Sequence, residues 1–394
     1  MLPLRRPQPM TSAATELPPP SSAALRSSNA LAATIREAIE SAGGWIDFSR
    51  YMQLVLYAPG QGYYSAGSEK LGAAGDFVTA PELGSLLGRA LATTLSSELA
   101  EIAAPTILEM GAGSGKLAAQ ILDALAQHAR VDHRYSILEP SADLRDRQQH
   151  YLRRFGERVT WIDGLPDAPF DGAVLANEVL DALPVTRFVK RGIEVYPLGV
   201  AHRDGRFVWQ QGPQHPPLTT AVGNLENKLG AALADGYVSE ICLLLPAWIG
   251  ALAASLRCGS LILVDYGMVR RDYYHEQRSD GTLICHYRHR AHDDPFMYPG
   301  LTDVSAWVDF SACAESATAA GLTVAGFTTQ AQFLLGTLAA TPPQRAIDAA
   351  TIQELNALKT LVLPGEMGER FKVLLLRKNV DAAPLPGRDF RDRL

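Results

Sequence analysis

The stretch Thr106-Ile-Leu-Glu-Met-Gly-Ala-Gly-Ser-Gly-Lys-Leu117 constrains this chain more than any other. A β-branched apolar run ends in Glu109. Gly111, Gly113 and Gly115 follow at alternate positions, and Leu117-Ala-Ala-Gln-Ile-Leu-Asp-Ala-Leu125 then opens with helical apolar spacing. Strand, glycine turn and helix in that order make the first unit of a nucleotide-binding α/β sheet. The glycines let a ligand approach the backbone where a Cβ would collide, and they allow left-handed φ. The helix that follows presents free N–H groups at its start. A chain of 394 residues is long enough to surround such a unit with a large core.

The rest of the chain keeps the α/β rhythm. Strands are expected at Thr106–Met110, Arg134–Glu139, Val159–Ile162, Gly172–Ala176, Ser260–Asp265, Thr323–Thr329 and Phe371–Arg377. Most are short apolar runs, as a sheet covered on both faces requires. Two insertions break the rhythm. Around 185–247, Thr186–Lys190, Ile193–Pro197 and Arg206–Gln210 read as hairpin strands turned at Arg191-Gly192 and Asp204-Gly205, with a helix near Val222–Leu233. Around 267–310 the chain is polar and rich in His, Tyr and Arg, and loops of that length are usually functional or disordered. Ahead of the sheet, 31–104 reads as a helical segment. Leu31, Ile35 and Ile39 repeat at helical spacing, a second helix covers Ile46 to Leu56, a third Leu83 to Ala100, and a Gly-rich loop spans Gly72 to Glu82. Residues 1–30, rich in Pro, Ser and Ala, read as a disordered tail, and 379–394 as a C-terminal tail.

The ligand class follows from where acids stand. A dinucleotide fingerprint places its third glycine where this chain has Lys116, so a NAD(P)-dependent oxidoreductase is the weaker reading. Acid-x-Gly-x-Gly-x-Gly, from Glu109 to Gly115, is the form that resembles class I S-adenosylmethionine (SAM) methyltransferases. Glu139 ends the second strand, where a carboxylate can accept bonds from both ribose hydroxyls. Asp163 closes the third strand, a position where methyltransferases commonly receive the adenine amino group, although Asp-Gly is also a plain turn pair. Asn177, Glu178 and Asp181 follow the fourth strand and Asp265 ends the next, all at the carboxyl edge where open α/β sheets bind ligands. Carboxylates there can hold a guanidinium by charge-assisted bidentate bonds. Asp76 and Glu82 flank a loop that can close over a cofactor.

Other classes find little support. A net charge of −6 gives no basic excess for nucleic acid, and a peptide partner fits better. No apolar run spans a bilayer. Cys285, His286, His289 and His292 cluster in the second insertion, but no further ligand pattern completes a metal site; they read as polar loop residues facing substrate or solvent. The head of the chain is a poor secretory or transit signal because its prolines break a helix.

Taken in order, several stretches resemble the MidA/NDUFAF7 family of SAM-dependent protein arginine methyltransferases, from about Ile46 to Lys378. They are Tyr57-Ala-Pro-Gly-Gln-Gly-Tyr-Tyr64, Gly75-Asp-Phe-Val-Thr-Ala-Pro-Glu82, Leu108 to Leu117, Asn177-Glu-Val-Leu-Asp-Ala-Leu-Pro184, Val264-Asp-Tyr-Gly267, Asp303-Val-Ser-Ala-Trp-Val-Asp-Phe310 and Leu363 to Val373. The resemblance implies a Rossmann-like class I methyltransferase domain over 105–378, with about seven mostly parallel strands. It implies SAM as cofactor and S-adenosylhomocysteine (SAH) as product. Glu109, Gly111, Gly113, Gly115, Glu139, Asp163, Thr79, Pro81 and Glu82 would hold the cofactor, and Asn177, Glu178, Asp181 and Asp265 the acceptor. The partner would be a protein arginine, with a respiratory complex I subunit as one candidate, in bacterial cytoplasm or, for a eukaryotic chain, the mitochondrial matrix. A non-catalytic assembly factor that retains the SAM site is the alternative.

Overall fold

Parallel pairing joins the strands that frame the glycine turn. The computed structural model describes residues 17–66, 79–127, 133–340 and 349–394. Leu256–Met268, Phe170–Asn177, Thr106–Met110, Arg134–Leu138 and Val159–Ile162 lie side by side in that order, all parallel. Phe371–Lys378 runs antiparallel between Leu256–Met268 and Thr323–Thr329. All seven expected strands are therefore in one sheet. Leu256–Met268 overruns its expected bounds because it has neighbours on both sides, from Leu256 opposite Phe170 to Tyr266 opposite Phe371. Val308–Asp309 adds a short parallel pairing at its far end.

Successive residues of each strand point to opposite cores. Ile107 packs with the helices Leu86–Glu98, Lys116–Leu125 and Gln330–Ala340 on one face. Leu108 packs with Leu245–Ser255 and Phe310–Ala319 on the other. The sheet is thus covered on both sides, which explains its apolar strands.

The first insertion is a second sheet. Thr186–Arg191, Glu194–Arg203 and Arg206–Gln211 form the expected hairpins, and Val238–Ile241 and Ile46–Asp47 join them. The expected helix near Val222–Leu233 starts earlier, at Pro216–Leu229, because prolines suit a first helical turn and Gly230, at φ +70°, ends it. The second insertion holds a small sheet of Ile284–Tyr287, Arg290–His292 and Asp303–Ser305.

The N-terminal reading needs correction. The first helix is Ser22–Ser41, so the tail expected over 1–30 is ordered from residue 22; residues 1–16 lie outside the described residues. The Ser21 side chain accepts a bond from the Ala24 N–H and caps this helix after the last of the prolines. Leu31, Ile35 and Ile39 are buried as their spacing requires. They share a core with Tyr51 and Tyr63 and with Val200, Cys285 and Val304 of the two insertions. The third expected helix divides at Gly84 into Ala80–Leu83 and Leu86–Glu98. At the other end, the tail lies along the sheet: the Phe390 N–H donates to the Phe327 carbonyl at 2.7 Å.

Candidate functional site

A cavity of about 600 Å³ opens at the carboxyl edge of the parallel strands. The glycine turn forms its floor. Gly111, Gly113 and Gly115 all have positive φ (+63°, +53° and +79°), a conformation that explains their alternate spacing. Gly111 and Gly113 line the cavity, and Gly115 caps the helix Lys116–Leu125. Beneath the turn, Glu109 is buried and accepts a bond from the Tyr135 hydroxyl at 2.8 Å. Burial pushes its pKa up to about 7 against the lowering effect of that bond.

Glu139 follows the second strand and is buried on the cavity wall. Its carboxylate accepts from the Ser141 N–H and from Gln148 Nε2, both at 3.0 Å. The same Gln148 nitrogen donates to the Gly113 carbonyl at 2.9 Å, so the acid is fixed relative to the turn. Leu138, Leu144, Val179 and Trp248 supply apolar wall nearby. Left-handed glycines that leave the backbone open, a fixed carboxylate with spare lone pairs and apolar walls together fit an adenosine-type cofactor.

The third corner is the segment after the fourth strand. Glu178 sits at φ +54°, an uncommon conformation for a residue with a side chain. Asn177 Nδ2 donates to Glu178 Oε1 at 3.2 Å, and the Asn177 Oδ1 is buried with no hydrogen-bond partner. Asp181 Oδ2 accepts from the Tyr266 hydroxyl at 2.5 Å, while its Oδ1 is buried and unpartnered. Asn177, Glu178 and Asp181 all line the cavity.

Asp303 joins them from the second insertion. It accepts from the Tyr64 hydroxyl at 3.2 Å and the Ser305 hydroxyl at 2.8 Å. Burial first, then the Asp181 charge, pushes Glu178 up to about 8. Burial and Asp303 push Asp181 up, against the pull of the Tyr266 bond. Tyr57 and Tyr64 stack with ring centroids 5.7 Å apart and close one wall; the Tyr57 hydroxyl donates to the Ala182 carbonyl at 2.8 Å. Tyr266, Trp307 and His286 complete this half of the lining.

Four expected site residues stand outside the lining: Gly115, which caps the helix, and three acids. Asp265 lies outside the lining. Its Oδ2 accepts from the N–H groups of Val179, Leu180 and Asp181 at 3.2, 2.9 and 3.3 Å, and its Oδ1 from Tyr266 N–H at 2.8 Å. It holds the Glu178–Asp181 backbone in place and does not line the cavity. Asp163 turns outward from the edge strand, 89% exposed, and pairs with Arg145. Glu82 bonds the Ser114 hydroxyl at 2.6 Å and pairs with Lys116, so it ties its loop to the glycine turn while Thr79 and Pro81 face the cavity. Asp76 and the Gly75–Val78 part of that loop lie outside the described residues.

Tyr57, Tyr64, Tyr266, Asp303 and Trp307 also line the site; no single-residue signal marks them, although each falls in a stretch that carries the family resemblance. Of the polar cluster, His286 reaches the cavity and Cys285 points into the core behind it. Among the described residues no group of three or more His, Cys, Asp and Glu could hold a metal ion. No helix among them is long and apolar enough to cross a membrane.

Comparison with known proteins places these features in a family. Residues 86–328 match the model of a family described as "Putative S-adenosyl-L-methionine-dependent methyltransferase". A crystal structure from Burkholderia thailandensis, bound to S-adenosyl-homocysteine, superposes with a TM-score of 0.87 at 41% identity, covering 96% of this chain and all (100%) of the other. A native crystal structure from the same organism gives a TM-score of 0.85, also at 41% identity and with the same coverage. The Drosophila melanogaster protein named "Protein arginine methyltransferase NDUFAF7 homolog, mitochondrial" is 28% identical, over 94% of this chain and 90% of its own length.

Proposed function

Because the chain belongs to the MidA/NDUFAF7 family of SAM-dependent methyltransferases, we propose that its methyl acceptor is an arginine side chain of a protein. One observation carries the reading. Glu178, Asp181 and Asp303 line the same cavity as the glycine turn, and Asp181 keeps a buried oxygen without a partner. Carboxyls crowded in this way resist ionisation when alone. A cation entering among them removes that penalty, whereas a neutral acceptor would leave it. Oxygens presented from different residues suit the planar fork of a guanidinium better than the point charge of an ammonium. The stacked Tyr57 and Tyr64 rings offer flat faces beside it.

In this reading Gly111 and Gly113 admit the cofactor to the backbone, and Glu139 receives its ribose hydroxyls. When bound, the cofactor supplies a sulfonium methyl: the new N–C bond forms as the S–C bond breaks, and the electron pair of that bond stays on sulfur. The chain's own task is then positioning. Glu178 and Asp181 orient the guanidinium, and Asp265 fixes both through their backbone. The short helix Ala80–Leu83 with its cap Thr79, tied to the turn by Glu82, stands over the cavity and excludes water. The 41% identity to a bacterial protein, against 28% to the fly protein, supports action in a bacterial cytoplasm.

The test has two arms. SAM and SAH should raise the melting temperature and NAD should not. Methyl-labelled SAM should then label arginine-containing peptides, a complex I subunit among the first candidates, with methylarginine read by mass spectrometry. Label on lysine, or on no protein in the presence of firm SAH binding, overturns the arginine reading. The second of these outcomes is what a non-catalytic assembly factor predicts.

A further inference from the structure

We propose that Asp303 and His286, neighbours across the strands Asp303–Ser305 and Ile284–Tyr287, are the outlet for the proton that the acceptor nitrogen releases on methylation. The proposal rests on methyl transfer to a nitrogen that carries a proton.

The register sets the pair. His286 stands opposite Asp303, and Ile284 opposite Ser305. Directly opposed residues share a face with Cβ atoms about 5 Å apart. The alternate residues Cys285 and Val304 point away into the core, while His286 and Asp303 both line the cavity.

Charge balance shows why an outlet is needed. A guanidinium that gains a methyl group and stays cationic has lost one proton. The N–C bond forms, the S–C electron pair goes to sulfur, and the proton must leave an acid-lined site. Asp181 and Asp303 are buried, at 6% and 3% exposure, so neither hands a proton to solvent directly. Asp265 is saturated by backbone N–H groups. The Tyr266 hydroxyl is committed to Asp181, and burial first and the Asp181 charge next raise its pKa well above the usual tyrosine range. His286 is half-buried on the same lining, so it can meet both Asp303 and water. The proton passes from nitrogen to the Asp303 carboxylate, to an imidazole nitrogen of His286, and out to water; no further reactant is required. The titratable groups around the pair are Tyr64, Tyr57, Asp181 with Tyr266, and Glu178, all near Asp303, and His292 on the neighbouring strand, whose titration is lowered first by burial, against the pull of Asp294 and Asp293, with His286 adding to the lowering.

The experiment compares the full-length protein with His286→Ala and Asp303→Asn. SAH affinity by calorimetry should be unchanged in both. Turnover of an arginine peptide at pH 7 should fall 10²- to 10⁴-fold in both, the range expected for a lost proton acceptor; peptide KM should change little in His286→Ala and rise in Asp303→Asn, which also loses a carboxyl facing the cation. Added imidazole should restore at least tenfold of the His286→Ala loss, and the acid limb of the wild-type kcat profile should vanish in that variant. A His286→Ala kcat within threefold of wild type overturns the proposal, as does a loss that imidazole does not rescue. A second measurement needs no turnover. In the unliganded protein, Asp303→Asn should move the His286 ring titration, read by NMR, to lower pH; an unmoved titration overturns the pairing. A wild type silent on arginine sinks the substrate reading, and the NMR result then decides the pair by itself.

Discussion

Glu178 concentrates the tension of the site in one residue. Its φ of +54° costs about 1–3 kcal/mol, and its carboxyl is held in a crowd of acids. Glu178→Gly should therefore raise the melting temperature while abolishing methyl transfer; a stability gain with activity intact would refute its role. The pH dependence has a definite sign. A carboxyl raised from 4.5 to about 8 favours the folded state fully below pH 4.5, and that contribution is lost as pH rises through about 8. The melting temperature of the unliganded enzyme should fall across this window more steeply than that of Glu178→Gln, and the KM for a cationic acceptor should drop as pH rises through the same range. Asp265→Ala is a different lesion. It strands the backbone N–H groups of Val179, Leu180 and Asp181, each worth about 1–3 kcal/mol when buried without a partner. We expect lower stability and a higher acceptor KM with near-normal SAH affinity. The sequence places Glu178, Asp181 and Asp265 alike at strand tips, because period and turn signals locate a tip. They do not say which way a carboxylate turns there, and for Asp265 and Asp163 that direction decided everything.

At the scale of elements, two kinds of segment meet at the cavity. Strand-and-helix units supply the side of the cavity proposed for the cofactor and were legible, since each is a local pattern: apolar run, glycine turn, amphipathic helix. The opposite side of the cavity combines strand tips (Glu178, Asp181, Tyr266) with the N-terminal segment (Tyr57, Tyr64) and the second insertion (Asp303, Trp307), which meet only in the folded chain. Tyr64 reaches Asp303 across more than two hundred residues of sequence (a separation of 239), and periodicity within either segment could not announce the bond. The helix Ser22–Ser41 is what seats the Tyr57–Tyr64 wall, through Leu31, Ile35 and Ile39 packed with Tyr51 and Tyr63. Leu31→Ala or Ile35→Ala should cost about 2–5 kcal/mol. Because the damage lies on the acceptor side, peptide KM should rise while calorimetric SAH affinity stays close to wild type. Equal losses at both ligands would mean that this helix supports the whole fold and not one wall.

At the scale of the whole molecule, a cofactor bound in the proposed site would contact both sides of the cavity. SAH at one hundred times its dissociation constant should add about 2.7 kcal/mol of stability, visible as a raised melting temperature. The order of strands has a separate consequence for the chain during its synthesis. Phe371–Lys378 lies between Leu256–Met268 and Thr323–Thr329, so an interior strand is made after both of its neighbours. Until it leaves the ribosome, two long apolar strand edges have no partner, and such edges recruit chaperones or aggregate. A chain terminated before Glu366 lacks that residue, Met367, Arg370 and Phe371 of the cavity lining as well as the strand itself, and should bind chaperones or aggregate rather than fold.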